Sequence, residues 1–345
     1  MRSAIVPSVL SLTLAFFLSL QTQAQEKPKH GVYIKVLEAD ENDFGGVCSA
    51  LEEGIARSSL KLVGKWDLDT ANPYDYLARV YVLNDSAFTA AVAQLEGPRF
   101  LAVAHRIAVY QGPGQKSVLV NMVNPEAIAR VYFHKLPEDQ YQQMLQKAAE
   151  VRQQMTELII SSVPGKEINQ ETAPLREEKA LNGYNGDGMA KVMALFKDFE
   201  GSLHKVRNEK IKDDVDASFE RVCQELEANF AKSKTGWRLV AKIDGGNHRR
   251  YYGISQPYTE EIATRIVGEK RKNDADPAPG IDHSPAFPIE VLVYPEKDKI
   301  KVATLGEMWR MQFYFWDAGY AAFAKHAQIP SQIYGSIVDA IKGKK

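Results

Sequence analysis

The sequence predicts an α+β protein made of two tandem units, each a strand, a helix, four strands and a closing helix, joined by a helical hairpin. Three observations carry this expectation. First, part of the chain repeats: Phe44, Val47, Cys48, Leu51, Glu52, Ala56 and Ser58 recur 175 positions on as Phe219, Val222, Cys223, Leu226, Glu227, Ala231 and Ser233. Seven matches in fifteen positions, against roughly one by chance, point to a duplication. Second, these apolar residues fall at helical spacing, while those downstream alternate as in half-buried strands. Third, the composition suits a folded chain: 345 residues, 45% apolar and 10% aromatic, with 43 basic against 44 acidic side chains. A charge so near zero gives no long-range attraction to nucleic acid or an anionic membrane, so no nucleic-acid partner is expected.

At the start of the chain Arg2, the apolar run Ala4 to Leu20 and the small residues Thr22 and Ala24 read as a secretory signal peptide over residues 1–24, cleaved after Ala24. The run is short and broken by Pro7 and serines, which argues against a retained anchor, and no later segment is apolar over a bilayer's width. An exported, soluble protein is therefore expected, periplasmic or extracellular, without an integral membrane segment.

The first unit is expected over 30–134. Val32 to Leu37 read as a strand, and Phe44, Val47, Cys48, Leu51 and Ile55 as one face of a helix. Leu60 to Trp66, Leu77 to Leu83, Arg106 to Tyr110 and Lys116 to Val123 read as strands. Gly112, Pro113 and Gly114 turn the last two into a hairpin, and Ser86 to Gln94 suits a short helix. Asn124 and Pro125 supply a cap and first-turn proline for a helix through Phe133. The second unit is expected over 215–345, with a helical extension at its C-terminus. There Leu239, Val240, Lys242 and Asp244 match Leu62, Val63, Lys65 and Asp67. At a separation of 182, Ala286, Ile289, Val291, Val302, Tyr314 and Phe315 match Ala104, Ile107, Val109, Val120, Tyr132 and Phe133.

Residues 135–214 read as a helical connector. Tyr141, Met144, Leu145, Ala148, Met155, Leu158 and Ile159 keep helical spacing between Pro137 and Ser162. Met189, Val192, Phe196, Phe199, Leu203 and Val206 do so after a cap at Asp187, leaving Gly165 to Asn185 as the loop. On this reading the second unit lacks a first strand. Stripes such as Met144, Leu145, Met155 and Leu158 would serve a partner copy as well as an intramolecular mate, so oligomerisation through the central helices is a further expectation.

The unit containing Leu51 and Gly54 on its helix, the strand ending at Lys65 to Asp67, the alternating Val80 to Leu83, the Arg106 to Val123 hairpin and the closing helix resembles domain-of-unknown-function family 302. Tandem copies are familiar in that family. The resemblance covers 30–134 more closely than 215–316 and implies a TATA-binding-protein-like arrangement of strand, helix, four strands and helix. Where a proline commonly precedes the family's hairpin, the second copy has Pro288 and the first has Arg106. The resemblance implies a fold and brings no reaction or site residues.

Chemistry is sparsely signalled. Cys48 and Cys223, at matching repeat positions, are the only candidates for a disulfide, but each sits mid-stripe on its helix and reads as a buried thiol. Gly112 to Ser117 lacks the spacing of a phosphate loop and lies between strands, so it reads as a turn. The seven histidines show no zinc or haem-attachment spacing. His105, at the entrance to a strand, is the best acid-base candidate. The run Met308, Trp309, Met311, Phe313, Tyr314, Phe315, Trp316, Tyr320 and Phe323, with His326 nearby, reads first as core packing. Its alternative is a pocket for an apolar ligand or haem, for which Met308, Trp309, Met311 and His326 are the candidate contacts. Glu269 to Asp276 balances its charges and reads as a solvated loop. The function expected is a non-catalytic binding or interaction module with no cofactor and no metal. The alternatives are an enzyme with a site assembled between the repeats and a binder of an apolar ligand or haem.

Overall fold

In the computed structural model the described residues are 28–344, apart from 41–42, 70–75, 113–114, 194–195, 213 and 271–279. The expected signal segment, Pro113 and Gly114 of the hairpin turn, and most of the charged loop beyond Lys270 lie outside them. The fold is mixed α+β, with two antiparallel sheets backed by helices.

The first sheet starts with β1 (Lys29–Ala39), which leads into helix α1 (Phe44–Arg57). The Asp43 side chain caps α1 at the Gly45 N–H, and Val47, Cys48, Leu51 and Ile55 form its buried face. Strands β2 (Lys61–Asp67) and β3 (Leu77–Asn84), helix α2 (Ser86–Ala93) and a 3₁₀ turn (Gly97–Val103) follow. Strands β4 (His105–Gln111) and β5 (Leu119–Val123) then lead to helix α3 (Pro125–Phe133), which Asn124 caps. Helix α4 (Glu138–Ser162) packs on α1 and α3, and strand β6 (Gly165–Glu177) returns along β1. The order across this sheet is β2-β3-β4-β5-β1-β6.

Short helices α5 (Glu178–Leu181) and α6 (Gly188–Met193) lead to the second sheet. Its elements are β7 (Leu203–Lys210), α7 (Val215–Ala231), β8 (Arg238–Asp244), β9 (Arg250–Ser255), α8 (Pro257–Lys270), a 3₁₀ turn (Ile281–Ala286), β10 (Ile289–Glu296), β11 (Lys299–Leu305) and α9 (Glu307–Phe315). Helices α10 (Gly319–Lys325) and α11 (Ile329–Lys342) close the chain. The strand order is β7-β11-β10-β9-β8, that of the first sheet without its sixth strand. No described helix is long and apolar enough to cross a membrane.

Two expectations are corrected. The stretch 165–177 is a strand, and 203–210 is the first strand of the second sheet, so the helical hairpin does not form. Neither strand carries apolar alternation. In β7 the ladder is flanked by charges: Arg207 pairs with Glu225 and Arg221 with Glu209, both across to α7. Leu203 and Val206, three apart, fit a helix face, and in the strand a bulge at Val206 breaks the alternation that would have marked it. The stripe of α4 is covered within the chain, where Met144, Met155 and Leu158 are buried in the core and Leu145 packs against it.

Strand pairing also refines the match between the two halves. Lys65 pairs with Tyr81 and Asp67 with Arg79, as Lys242 pairs with Tyr252 and Asp244 with Arg250, each after a bulge at the same place. Across the next ladder Tyr81 meets Ile107, while Tyr252 meets Val291. In register Ile107 therefore corresponds to Val291 and Arg106 to Glu290, two residues on from the match made by sequence. A two-residue slip keeps every side chain on its face of the sheet, so hydrophobic alternation does not detect it.

The halves meet at these equivalent places. Gly64 of β2 lies against Val240 and Ala241 of β8, with no room for a Cβ. The 3₁₀ turn of the first half packs on β9 and β10, and that of the second on β3, β4 and β5. Trp66 Nε1 donates to Glu260 Oε1 of α8 at 2.9 Å. One hydrophobic core runs through both halves.

Candidate functional site

Where β4 faces β10 the interior is charged. Arg106 and Glu290 are 3% and 2% exposed. Arg106 Nη1 donates to Glu290 Oε1 at 2.9 Å and to the Ala286 carbonyl at 3.1 Å, and Nη2 donates to the Tyr314 hydroxyl at 2.5 Å. From α9, Arg310 Nε donates to Glu290 Oε2 at 2.6 Å, while Nη2 donates to the carbonyls of Ala286 and Pro288 at 2.6 and 3.2 Å. Both guanidiniums lie over the Tyr314 ring. Burial works against each arginine's charge, but Glu290 and Tyr314 outweigh it and hold both guanidiniums protonated.

Beside Arg310 lies a small apolar pocket of about 50 Å³ that opens to the surface. Thr259, Ile262 and Ala263 of α8, Phe287 and Ile289 at the start of β10, and Ile329, Pro330 and Ile333 of α11 form three walls. Glu307, Arg310, Met311 and Phe315 of α9 form the fourth. Glu307 is buried, and its Oε1 has no hydrogen-bond partner. Burial raises its pKa to about 8, against the pull of a hydrogen bond from its own backbone N–H and, less, of Arg310. An apolar enclosure with a few convergent polar groups is the usual form of a small-molecule site.

Of the residues singled out from sequence, Met311 lines this pocket; Met308, Trp309 and His326 do not. Trp309 is buried between Tyr184, edge-on at 5.3 Å, and Phe313, stacked at 5.0 Å. Arg176 of β6 lies over the Tyr184 and Phe313 rings, pairs with Asp187 at 2.6 Å and donates to the carbonyls of Gln312 and Phe313. The aromatic run thus fastens 176–187 to α9, as core packing. His105 is buried edge-on to Phe88, and burial, with a smaller contribution from Arg106, lowers its pKa to about 4 despite Asp85. It is a neutral imidazole in the core, and its Nε2 meets no carboxylate. Cys48 and Cys223 are free and buried, each in its own helix, and burial raises both thiols, Cys223 to about 11.

Sequence reading missed Arg106 as a charge partner, Glu290, Glu307 and Arg310. It also missed His283, whose Nδ1 and Nε2 each lie 2.9 Å from a carboxylate, Asp282 and Asp317. Burial opposes a charged imidazole there, but Asp317 and Asp282 outweigh it and raise the pKa to about 9. A further pattern was available: Arg79 and Tyr81 match Arg250 and Tyr252 at a separation of 171. Tyr81 donates to Glu52 as Tyr252 does to Glu227, and Arg79 lies over Phe44 as Arg250 does over Phe219. Among the described residues no group of three or more His, Cys, Asp or Glu is arranged to hold a metal ion. The chain matches no protein-family model, no curated protein and no solved structure.

Proposed function

We propose that this chain is an exported binding module in which two copies of one α+β unit share a core, and that the pocket between α8, α9 and α11 receives a small, largely apolar ligand. The observation that carries the binding reading is the buried Glu307 carboxyl, with an oxygen lacking a partner, in the wall of an otherwise apolar pocket. An unsatisfied buried oxygen costs about 1–3 kcal/mol, which a bound donor or acceptor group would offset. The two-copy reading rests on the common strand order, the common bulges and the repeated Glu, Lys, Arg and Tyr cluster. It extends the resemblance to domain-of-unknown-function family 302. Export rests on the N-terminal leader pattern. The binding reading has no catalytic step, since His105 is sealed in the core and both ring nitrogens of His283 are occupied by carboxylates.

Isoleucine methyl NMR tests the pocket directly with 1-butanol, a small neutral probe. Saturable shifts centred on Ile262, Ile289, Ile329 and Ile333 are expected, and Ile333→Trp, which fills the space, should abolish them. Shifts confined to other methyls, or none at millimolar probe, would refute the reading.

A further inference from the structure

We infer that an exposed apolar patch formed by α6 and α10 seats the protein on the surface of a lipid bilayer that carries anionic headgroups. Exposure is the first argument. Met189 and Val192 of α6, three residues apart and so neighbours on the helix, are 62% and 67% exposed. Gly188, one turn before Val192, lies against Trp316: a Cβ there would stand 3.4 Å from the indole Cζ2. From Trp316 the patch continues into α10. The Tyr320 and Phe323 rings stand edge-on to the indole at 6.5 and 6.3 Å, and lie 6.3 Å from each other. Tyr320 is exposed, and Trp316 and Phe323 are half-buried. Single exposed apolar residues are ordinary, but five from neighbouring elements mark a surface that meets a protein or a membrane.

Charge decides between these two. The carboxylates that flank the patch in sequence are engaged elsewhere, Asp187 by Arg176 at 2.6 Å and Asp317 by His283 at 2.9 Å. Lys191, next to Val192, is exposed, and its ammonium group has no partner among the described residues. Lys325, also exposed, closes α10. Lysine is depleted from the centre of protein-protein contacts. Tryptophan and tyrosine beside lysine are instead the composition of a membrane-interface belt, where the rings lie at headgroup level and the ammonium groups reach the phosphates.

The association is one of surface contact. No described helix is long and apolar enough to cross a bilayer, and the chain's net charge of −1 gives no long-range capture. Affinity comes from burying the five apolar side chains at headgroup level, with each lysine near an anionic surface adding about fivefold. The contact also carries its own signal. Of the four tryptophans, Trp66, Trp237 and Trp309 are buried, and Trp316 alone is partly open to solvent.

The test is sedimentation with vesicles, using the chain without residues 1–24, the form expected after export, which keeps every described residue. Equimolar phosphatidylcholine and phosphatidylglycerol vesicles at millimolar lipid should pellet the protein, and its emission should move to the blue as Trp316 leaves water. Phosphatidylcholine alone should bind at least about fivefold less tightly. Trp316→Phe should remove the emission shift and keep the pelleting. The double change Met189→Asp with Val192→Asp, at exposed positions and checked for an unchanged melting profile, should lower the partition coefficient at least about tenfold. Lys191→Gln should lower it about fivefold on the mixed vesicles and leave phosphatidylcholine binding unchanged. Failure to pellet with either vesicle, or pelleting that the double change does not weaken, would overturn the inference. Equal affinity for the two vesicles would overturn the assignment of anionic headgroups. A dimer that the double change dissolves, without vesicle binding, would give the patch to a second copy of the chain and overturn the lipid reading.

Discussion

Glu290 stands between two guanidiniums in an interior that water does not reach, and each partner is needed to justify the others. Glu290→Ala leaves two buried positive charges facing each other and should cost about 3–5 kcal/mol in urea unfolding. Replacing Arg106 and Glu290 together by leucine should cost clearly less than the two single changes added, because the double variant also removes the repulsion between the two guanidiniums, while Arg310 still loses its partner. Additive losses would show that the pair is not coupled. His283 makes a second prediction. Its pKa rises from an ordinary 6.5 to about 9 in the folded state, so its contribution is complete below pH 6.5 and is lost as pH rises through 9. Glu307 is also raised, from 4.5 to about 8, so between those values the unfolded chain gives up a proton that the fold keeps, and stability falls across the window. Stability should therefore decline from pH 6 to 9, and His283→Gln should flatten the part between 6.5 and 9. A profile unchanged by that substitution would contradict the assignment. Little of this was legible beforehand. Arg106 stood out as a departure from a proline pattern, but single charged residues in apolar strands do not name their partners.

At the scale of elements, what was legible was whatever buried one apolar face. The stripe Val47, Cys48, Leu51 and Ile55 marked α1, and Asn124 with Pro125 marked α3. Strands β6 and β7 escaped because their partners are backbone ladders and ion pairs such as Arg152 with Glu171, which leave no apolar period to read. The register of β10 escaped because a slip of two residues preserves the alternation. The pocket escaped for a related reason: its walls come from three helices and a strand end, so only Met311 was nominated from sequence. The crossing of β2 with β8 yields a sharp test, since a Cβ at Gly64 has no space beside the Val240 carbonyl and Ala241. Gly64→Ala should lower stability by about 1–3 kcal/mol, read from the urea midpoint, although most Gly→Ala changes in strands are favourable or neutral. An unchanged midpoint would mean that the strands are not in contact.

The two sheets share one core, exchange their 3₁₀ turns and are tied by Trp66 to Glu260 and by Arg106 to Glu290. Such a body should unfold as one unit. Single-tryptophan variants retaining Trp66, from the first half, or Trp237, from the second, should report the same urea midpoint; separate midpoints would show two independent domains. Within this body the pocket is confined to the second half, beside the helices that follow the second sheet. The most direct test of the account is a crystal structure of the full chain grown with 1-butanol. The account predicts density in the pocket between α8, α9 and α11, packed against Ile262, Ile289 and Ile333. An empty pocket at saturating 1-butanol, or density only elsewhere on the molecule, would contradict it.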